Sequence, residues 1–404
     1  MTIAELTSRT IALGLQSALG TIAGTGDGKY QNFRPDTSGG LSKDSFESDS
    51  IRRDQQYSNP RHGLRQGAFA LSQELQIGGH NAQFAGLLRA AWAAGGASGA
   101  SIDRAINATT RTITRTSGSF ITDGFKVGDI IRAAGFTATI NNGVNLRLTA
   151  VNALTMVYAA DAWLPAMTTE AAGASVTLSS PGAKLQVPSS SHTKNYFTVD
   201  DWHADIGQGT RITDAVVNSA ELDISPGAHA TVTFNMLGVN ASLDNVAEYF
   251  VAATAAPTGA LLAGPEGKLR YDGADSAVMT QITLNIDSGG EVKAVIGANV
   301  SPDVFRLGVR ASGSLAALFD GGAILDNFDN ESEGTLYIYL FADSTAGSEF
   351  LILKLPNVKI NSADKASDGP AQVLSGEFSA GKYVAGSTVI EATSVVLVDS
   401  SVTP

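Results

Sequence analysis

Two groups of neighbouring carboxylates are the first candidates for chemistry in this chain. Asp200 and Asp201 are adjacent, and residues 326–333 carry four acidic side chains. Paired carboxylates can serve as general acid and base on a glycoside, and clustered carboxylates can bind calcium. Acidic turns between strands are commoner than either kind of site. We therefore expect neither catalysis nor a structural cation at these positions.

The five histidines give little support for a metal site. They are His62, His80, His192, His203 and His229. No two of them have the i, i+4 spacing that places two ligands on one face of a helix. The sequence predicts histidines on the surface or in turns, and no bound metal.

Two further motifs fall short of an enzyme or nucleotide site. Ser191, His192 and Asp200 supply the residue types of a hydrolase triad, but no serine stands in a G-x-S-x-G elbow. Residues 24–29, GTGDGK, look like a phosphate loop but lack its glycine spacing and the Ser or Thr after the lysine. The absence of cysteine excludes disulfides and thiol catalysis. We expect a protein that is not an enzyme and has no cofactor.

Length and composition indicate a strand-rich protein with more than one domain. The chain has 404 residues, 43% of them hydrophobic, and single cores rarely grow past roughly 250 residues. Charged residues make up only 16%, and there are 43 glycines, which is typical of strands joined by many turns. No uncharged apolar run reaches the roughly eighteen residues that a membrane-crossing helix needs. The first 20 residues predict a short helix or arm and not a signal peptide.

The distribution of charge is more informative than the net charge of -12. Residues 1–100 have nine basic and eight acidic side chains, and residues 101–185 have seven and five. Residues 186–404 have 11 and 26, so this part alone carries -15. A polyanion such as DNA is held by Lys and Arg through counterion release, so stable DNA binding is not expected.

The first hundred residues predict an arm, a strand and a helix. Residues 20–40 are polar, glycine-dense and aperiodic, which is typical of an extended arm or loop. Residues 68–77 alternate and end at Gly78 and Gly79, which predicts a strand and a turn. The helical spacing over residues 81–92 predicts a helix with Asn81 as its N-cap, stopped by Gly95.

The rest of the chain predicts two β-rich regions. Short strands with an Asn-Gly turn at 142–143 predict a small barrel-like unit between residues 101 and 187. Alternating segments then recur at 220–224, 230–236, 280–286, 335–340 and 350–355. They predict antiparallel strands with one buried face each.

Three motifs, in this order along the chain, resemble a known family. The first combines residues 48–54 (SDSIRRD) with the strand 67–75 (GAFALSQEL) and the helix that follows. The second is 197–202 (FTVDDW) with 209–238, which contains ISPGA and TVTF. The third is 353–358 (LKLPNV) followed by GEF at 376–378. From about residue 45 to its C-terminus, the chain is similar to the tail tube proteins of siphophages, the long-tailed bacteriophages with non-contractile tails.

The resemblance implies a fold and a division into domains. The fold is an antiparallel β-sandwich or barrel with a flanking α-helix, plus an inserted small β domain like the decoration domain of some members. Residues 1–45 would be an N-terminal arm, and 46–100 the first part of the tube domain. Residues 101–187 would be the inserted domain, and 188–404 the second part of the tube domain.

The same resemblance implies a structural virion protein that assembles with itself. Copies would form rings, hexameric by resemblance, that stack into the tail tube through which DNA is ejected. The partners would be other copies, the tape measure, the tail terminator and the distal tail proteins, with assembly in the host cytoplasm. DNA would pass without specific binding, and no membrane insertion is expected.

Two sets of charged residues are candidates for contact surfaces. An acidic wall lets a polyanion slide without sticking. The candidates for such a wall are Asp287, Glu291, Asp303, Asp326, Asp329, Glu331 and Glu333. The charge-mixed loop 48–62 is a candidate for contact between rings. Its charged residues are Asp49, Arg52, Arg53, Asp54 and Arg61, followed by His62.

Two other classes of protein share part of this pattern. An extracellular β-rich adhesin or carbohydrate-binding module would have the same low charge and richness in Gly, Ser and Thr, but would normally carry a secretion signal. A carbohydrate-active enzyme would need two supported carboxylates in an aromatic groove. Purified rings or hollow tubes would distinguish the tube protein from both.

Overall fold

The computed structural model describes residues 3–99, 102–173, 176–319, 323–384 and 388–404. It confirms the mainly-β fold, with 48% of residues in strands and 6% in helices. The ladders between its strands are antiparallel. The predicted boundary between residues 100 and 101 lies outside the described residues.

The elements fall into three consecutive groups along the chain. The first group comprises β1 (Arg9–Leu15), β2 (Gly28–Tyr30), β3 (Ser38–Phe46), β4 (Arg61–Glu74), α1 (Asn81–Leu88) and β5 (Ala93–Ala94). The second comprises β6 (Ala97–Ser98), β7 (Arg104–Asn107), β8 (Thr112–Arg115), β9 (Ile130–Ala134), β10 (Leu146–Val151), β11 (Thr155–Tyr158), β12 (Glu170–Gly173) and β13 (Thr177–Ser179).

The third group is the longest. It comprises β14 (Ala183–Gln186), β15 (Phe197–His203), β16 (Gln208–Ile224), β17 (Thr231–Asn245), β18 (Gly267–Tyr271), β19 (Ala274–Ser276), β20 (Met279–Asp287), β21 (Gly290–Val292), β22 (Val304–Arg306), β23 (Arg310–Leu318), α2 (Ala323–Asp329), β24 (Glu333–Phe341), β25 (Phe350–Ile360), β26 (Asp364–Asp368), β27 (Ala371–Ala380) and β28 (Val396–Asp399). Short 3-10 helices lie at Leu6–Ser8, Thr139–Asn141 and Gly264–Glu266.

Strands of the first and third groups form a two-layered sandwich. One layer, the front sheet, has the order β3-β4-β17-β16-β20-β23-β27-β26. The other layer, the back sheet, has the order β19-β18-β24-β25-β28-β14-β5. Pairing of β25 with the end of β27 joins the two layers. The main apolar core lies between them and contains, for example, Phe234, Leu284 and Leu353.

Irregularities in β16 allow one edge of this strand to pair first with β15 and then with β20. Its first half pairs with β15, which continues to β1 and β2, and its last six residues pair with β20. Its register with β17 shifts between Gly209 and Arg211 and again between Val217 and Ser219. A β-bulge bends the bulged strand and increases its twist. The bent strand therefore connects the front sheet to the β15-β1-β2 extension.

The predicted helix is present but shorter, and its ends differ from the prediction. Asn81 is the first helical residue and not the N-cap, because His80 takes the cap position. The helix ends at Leu88, before Gly95, because Arg89 adopts a left-handed conformation with φ 57°. Trp92 lies beyond the helix and donates its indole N–H to the carbonyl oxygen of Asn81 at 3.0 Å.

The N-terminal stretch also differs from the extended arm or short helix that was expected. Strands β1, β2 and the start of β3 lie within residues 1–45. The side chains of Ile11 and Leu13 are buried in the main core. Burial of this apolar segment against β15 stabilises a strand here.

The eight strands β6–β13 form a separate sheet around a core of their own, here called the small sheet. Its order is β12-β7-β8-β11-β10-β9-β13-β6. The small sheet packs against the outer face of the back sheet, where Ile130 meets Tyr337, Tyr339 and Phe350. The prediction of one buried face per strand is therefore wrong for β24 and β25, because the small sheet covers their second face. The prediction holds for β20, whose burial alternates.

Buried ion pairs cross the junction between the small sheet and the sandwich. Lys354 and Lys184 both contact Asp129 and Glu391, and the two Glu391 contacts measure 3.1 and 2.9 Å. Arg147, fully buried, contacts Asp161 at 2.7 Å and reaches Asp275 of the hairpin β18–β19. Since a buried charge without a partner is costly, each side of the junction requires the other.

Candidate assembly surfaces

One face of the front sheet is lined mostly by small polar side chains. Within the described residues it is open except beside the hairpin β21–β22, where Val304 packs on Val216 and Val239. The opposite face is the main core, so residues alternate between core and solvent along each strand. Outward residues that reach solvent include Thr233 and Asn235 on β17, Glu221 and Asp223 on β16, Gln281, Thr283 and Asn285 on β20, Ser312 and Ser314 on β23, and Ser375, Glu377 and Ser379 on β27. We call this surface the polar face.

Hydrogen bonds between side chains of neighbouring strands order the polar face. Asn235 donates to Glu221 at 3.1 Å, and Gln281 donates to Asp223 at 3.1 Å. The hydroxyls of Thr283 and Ser314 are 2.7 Å apart. These bonds run across the strands, so the polar face is a smooth surface of short side chains that bond one another.

The charges on the polar face are mainly negative. Glu221, Asp223 and Glu377 are exposed, and Asp287 is half-buried at the end of β20. Arg310 is the strand partner of Asp287 across β20 and β23, so it lies on the same face. Lys359 pairs with Ser379, and Asp364 pairs with Ser375, so both lie on this face as well. Five carboxylates against two cations give the face a surplus of negative charge.

The predicted acidic residues fall into two groups in the structure. Asp287 ends β20, and Glu291 and Asp303 lie on the hairpin β21–β22 that follows. The other four lie on α2 and the turn into β24, and we call residues 326–333 the acidic turn. The strand registers place Asp287 and Glu333 at the same end of the sandwich, through the pairs Ala311 with Ala380 and Val358 with Gly334.

Three of the predicted acidic residues have cationic partners within the chain. Asp303 contacts Lys194 and accepts from the Tyr196 hydroxyl at 2.9 Å. Burial raises the pKa of Asp303, but hydrogen bonds from Lys194 and Tyr196 outweigh it and lower the pKa overall. Glu291 and Glu331 pair with lysines at 2.5 and 2.9 Å.

The remaining residues of the acidic turn lack such partners. Asp326, Asp329 and Glu333 are exposed, and within the described ranges no ion pair involves them. Their charges are therefore available for contact with another molecule.

The charge-mixed loop is the tip of the hairpin β3–β4. Residues 47–60 lie outside regular structure and are almost wholly exposed, including Ile51 and Tyr57. Arg52 and Asp54 approach to 3.4 Å, while Asp49 and Arg53 point into solvent. Arg61 belongs to β4 and pairs across the hairpin with Phe46.

The carboxylates at 200 and 201 are engaged in the fold. Asp201 holds Arg9 through two hydrogen bonds of 2.7 and 2.9 Å. Burial raises the pKa of Asp200, which accepts the backbone N–H of Tyr249 at 2.8 Å. Within the described residues no three potential ligands are grouped to hold a metal ion.

His80 corrects the expectation that the histidines lie on the surface or in turns. It is 3% exposed and packs against Phe84 and Phe234. Its Nε2 lies 3.2 Å from the backbone N of Gln76. Its position directly before α1 places it in the core.

Sequence reasoning missed Glu221, Asp223 and Glu377 of the polar face. The alternation over 220–224 puts Glu221 and Asp223 on one face of the strand and Leu222 on the other. This pattern indicated that the two carboxylates share a polar face. It could not tell whether the polar side of that strand would be covered.

The described part of the chain has no helix that is both long and apolar enough to span a bilayer.

A comparison with models of protein families identifies a matching family. The model of a family described as phage tail tube protein matches residues 7–380. A search of curated proteins returns no match.

Proposed function

Because the chain belongs to the phage tail tube protein family, and so is a structural component of a phage tail, we propose that its copies form stacked rings with the polar face lining the channel. The tail is of the long, non-contractile type, and each ring holds six copies, as the resemblance to siphophage proteins suggests. DNA passes through the channel on its way into the host.

The polar face is the observation that carries this proposal. Apart from the part under the hairpin β21–β22, it is the open side of the sandwich within the described residues, whereas the small sheet covers the outer face of the back sheet. Short side chains leave a smooth wall, and a negative surplus repels the phosphates that Lys and Arg would hold. The wall residues are Glu221, Asp223, Asp287 and Glu377. The acidic turn, Glu291 and Asp303 lie toward the channel mouth or ring junction.

The free edges of the front sheet supply a way to close a ring. Strands β3 and β26 each pair on one side only within the described residues. Six strands lie between the two edges, and all seven pairings along the sheet are antiparallel, so β3 and β26 run in opposite directions. The β3 of one copy therefore meets the β26 of the next as an antiparallel pair, in a head-to-tail contact that closes by rotation.

The remaining parts take roles around this wall. The loop 48–62 makes the contact between stacked rings, through Asp49, Arg52, Arg53, Asp54 and Arg61. Residues 101–187 form an inserted domain on the outside of the tube, between the parts 46–100 and 188–404 of the tube domain, with 1–45 preceding them. The tape measure, the terminator and the distal tail proteins are the further partners, and assembly takes place in the host cytoplasm.

Electron microscopy of the purified protein tests the proposal. The protein is fractionated by size, and each fraction is imaged in negative stain. Rings or hollow tubes with an open channel are the expected result. A chain that stays monomeric at high concentration and after long incubation would refute the proposal.

A further inference from the structure

Three cationic side chains gather where helix α1 ends. Arg306 of β22 donates from Nη1 to the carbonyl oxygen of Gly86 in α1, at 2.8 Å. Arg89 follows the helix, and its carbonyl oxygen accepts the backbone N–H of Thr193 at 2.9 Å. Lys194 is the next residue along the chain. We call Arg89, Lys194 and Arg306 the cationic cluster.

The cationic cluster has more positive charge than its own surroundings neutralise. Asp303 is the carboxylate that acts on Arg306, but its oxygens are already engaged by Lys194 and the Tyr196 hydroxyl. Three cations therefore share one carboxylate. Two of the three cations, Lys194 and Arg306, lie in the part of the chain that carries most of the acidic residues.

Two donor atoms of the cationic cluster are left without a partner. Nη2 of Arg306 and Nε of Arg89 are buried and form no hydrogen bond within the described residues. Burial first, and then repulsion from Arg89, lower the pKa of Arg306 to about 10. A partly buried guanidinium whose charge is not balanced is costly alone and is stabilised by carboxylates brought close to it.

We propose that the cationic cluster is a docking site for the acidic turn of a second copy of this chain. The acidic turn is exposed, and Asp326, Asp329 and Glu333 have no cation of their own. The two surfaces are opposite in charge and come from different parts of the fold, so the contact joins copies head to tail. This proposal rests on the proposed self-assembly and identifies one of its contacts.

Two variants test the two surfaces separately. Arg306→Met removes a charge that forms no ion pair within the described part of the monomer, together with one hydrogen bond to the Gly86 carbonyl oxygen. These effects oppose each other, so the unfolding midpoint of the monomer should change little. Assembly should need at least about tenfold more protein, because the contact is lost. The triple variant D326N/D329N/E333Q changes only exposed side chains and should weaken assembly to a similar degree. Arg111→Met, at an exposed arginine of the small sheet, is the matched control and should assemble as the wild type does.

Mixing the two variants shows whether the surfaces meet each other. Each variant retains one intact half of the contact, so a mixture should form dimers by analytical ultracentrifugation where neither variant alone does. Wild-type assembly by either variant, or a mixture without dimers, would overturn the docking site and leave tube formation standing. A wild-type chain that never assembles would overturn both proposals.

Discussion

Two lysines of one strand show how burial decides what a charged residue does. Lys354 and Lys359 both lie on β25 and both contact glutamate. Lys354 is fully buried between Asp129 and Glu391, whereas Lys359 reaches an exposed Glu331. Water screens the second pair but not the first.

Lys354→Met is therefore expected to destabilise the protein strongly. The change leaves Asp129 and Glu391 with Lys184 as their one cation, and breaking a buried pair costs about 3–5 kcal/mol. Denaturant unfolding of the monomer measures this loss. Lys359→Met is the control on the same strand and should leave the midpoint unchanged.

A second substitution distinguishes lost charge from lost packing at this site. Adding Glu391→Gln to Lys354→Met restores the balance of one cation and one anion, so part of the lost stability should return. A double variant that is simply the sum of the two single losses would contradict the charge explanation.

His80 predicts a specific dependence of stability on pH. Burial lowers the pKa of His80 from 6.5 to about 4. Between these values the unfolded chain binds a proton that the folded chain does not, so stability falls as the pH falls. The free energy of unfolding should drop by about 2 kcal/mol from pH 7 to pH 5 because of this residue.

The variant His80→Gln checks that assignment, because glutamine does not titrate in this range. Its unfolding free energy should lose most of the slope between pH 7 and pH 5, whatever its absolute stability. The exposed His62→Gln is the control and should keep the slope of the wild type. An unchanged slope in His80→Gln would assign the pH dependence to other groups.

At the scale of elements, the two edge strands of the front sheet are the elements best suited to pair with another chain. β3 and β26 present unpaired backbone groups, and most of the described side chains on both are exposed. An unprotected edge in a monomer invites pairing with any other strand. In a ring, the same edges would be satisfied by the neighbouring copies.

Cysteine pairs can detect this edge contact, since the chain has no cysteine of its own. Each of Ser38, Ser42 and Ser45 on β3 is changed to cysteine together with Ala366 or Ser367 on β26. At least one combination should give a ladder of covalent oligomers on oxidation of assembled protein, because facing strands bring Cα atoms within disulfide range. On a non-reducing gel, the largest oligomer of the ladder then gives the number of copies in a ring.

The single-cysteine variants are the controls for the edge contact. A head-to-tail contact brings β3 against β26 and never against another β3, so each single variant should stay uncrosslinked. Dimers from Ser42→Cys alone would indicate a two-fold symmetric pairing of β3 with itself. Tubes in which no combination crosslinks would place the ring contact elsewhere.

At the scale of the whole molecule, the proposed ring closure and the proposed ring stacking use different exposed surfaces. The sheet edges belong to the sandwich itself, whereas the loop 48–62 projects from it at the tip of a hairpin. Changes in the loop should therefore leave single rings intact and act on their stacking.

The double variant R52E/R53E tests this separation. Reversing two charges of the loop should give rings of normal diameter but few or no tubes in negative stain, and the folded monomer should be as stable as the wild type. Raising the salt concentration should restore the stacking only in part, because salt screens the repulsion of the reversed charges but does not replace the lost attraction. Normal tubes from R52E/R53E would exclude these arginines from the inter-ring contact.

The sequence by itself determined the class of fold and the family. Alternation over 220–224, 280–286 and 350–355 predicted strands that the structure contains, since a half-buried strand records its two faces in a period of two residues. The helix before Arg89 was also predicted, but its end was not, because a left-handed arginine leaves no mark in the pattern. Local chemistry is readable along a chain, and three ordered motifs were enough to suggest a family that the family model supports.

Only the tertiary structure decided which faces are covered and which charges are free. The sequence could not show that the small sheet buries the second face of β24, or that Asp303 is held by Lys194 and Tyr196. It could not show that Glu221 and Asp223 share an open surface with Glu377. These properties depend on residues far apart in the chain that meet only after folding, and strand periodicity gives two faces without saying which one meets solvent.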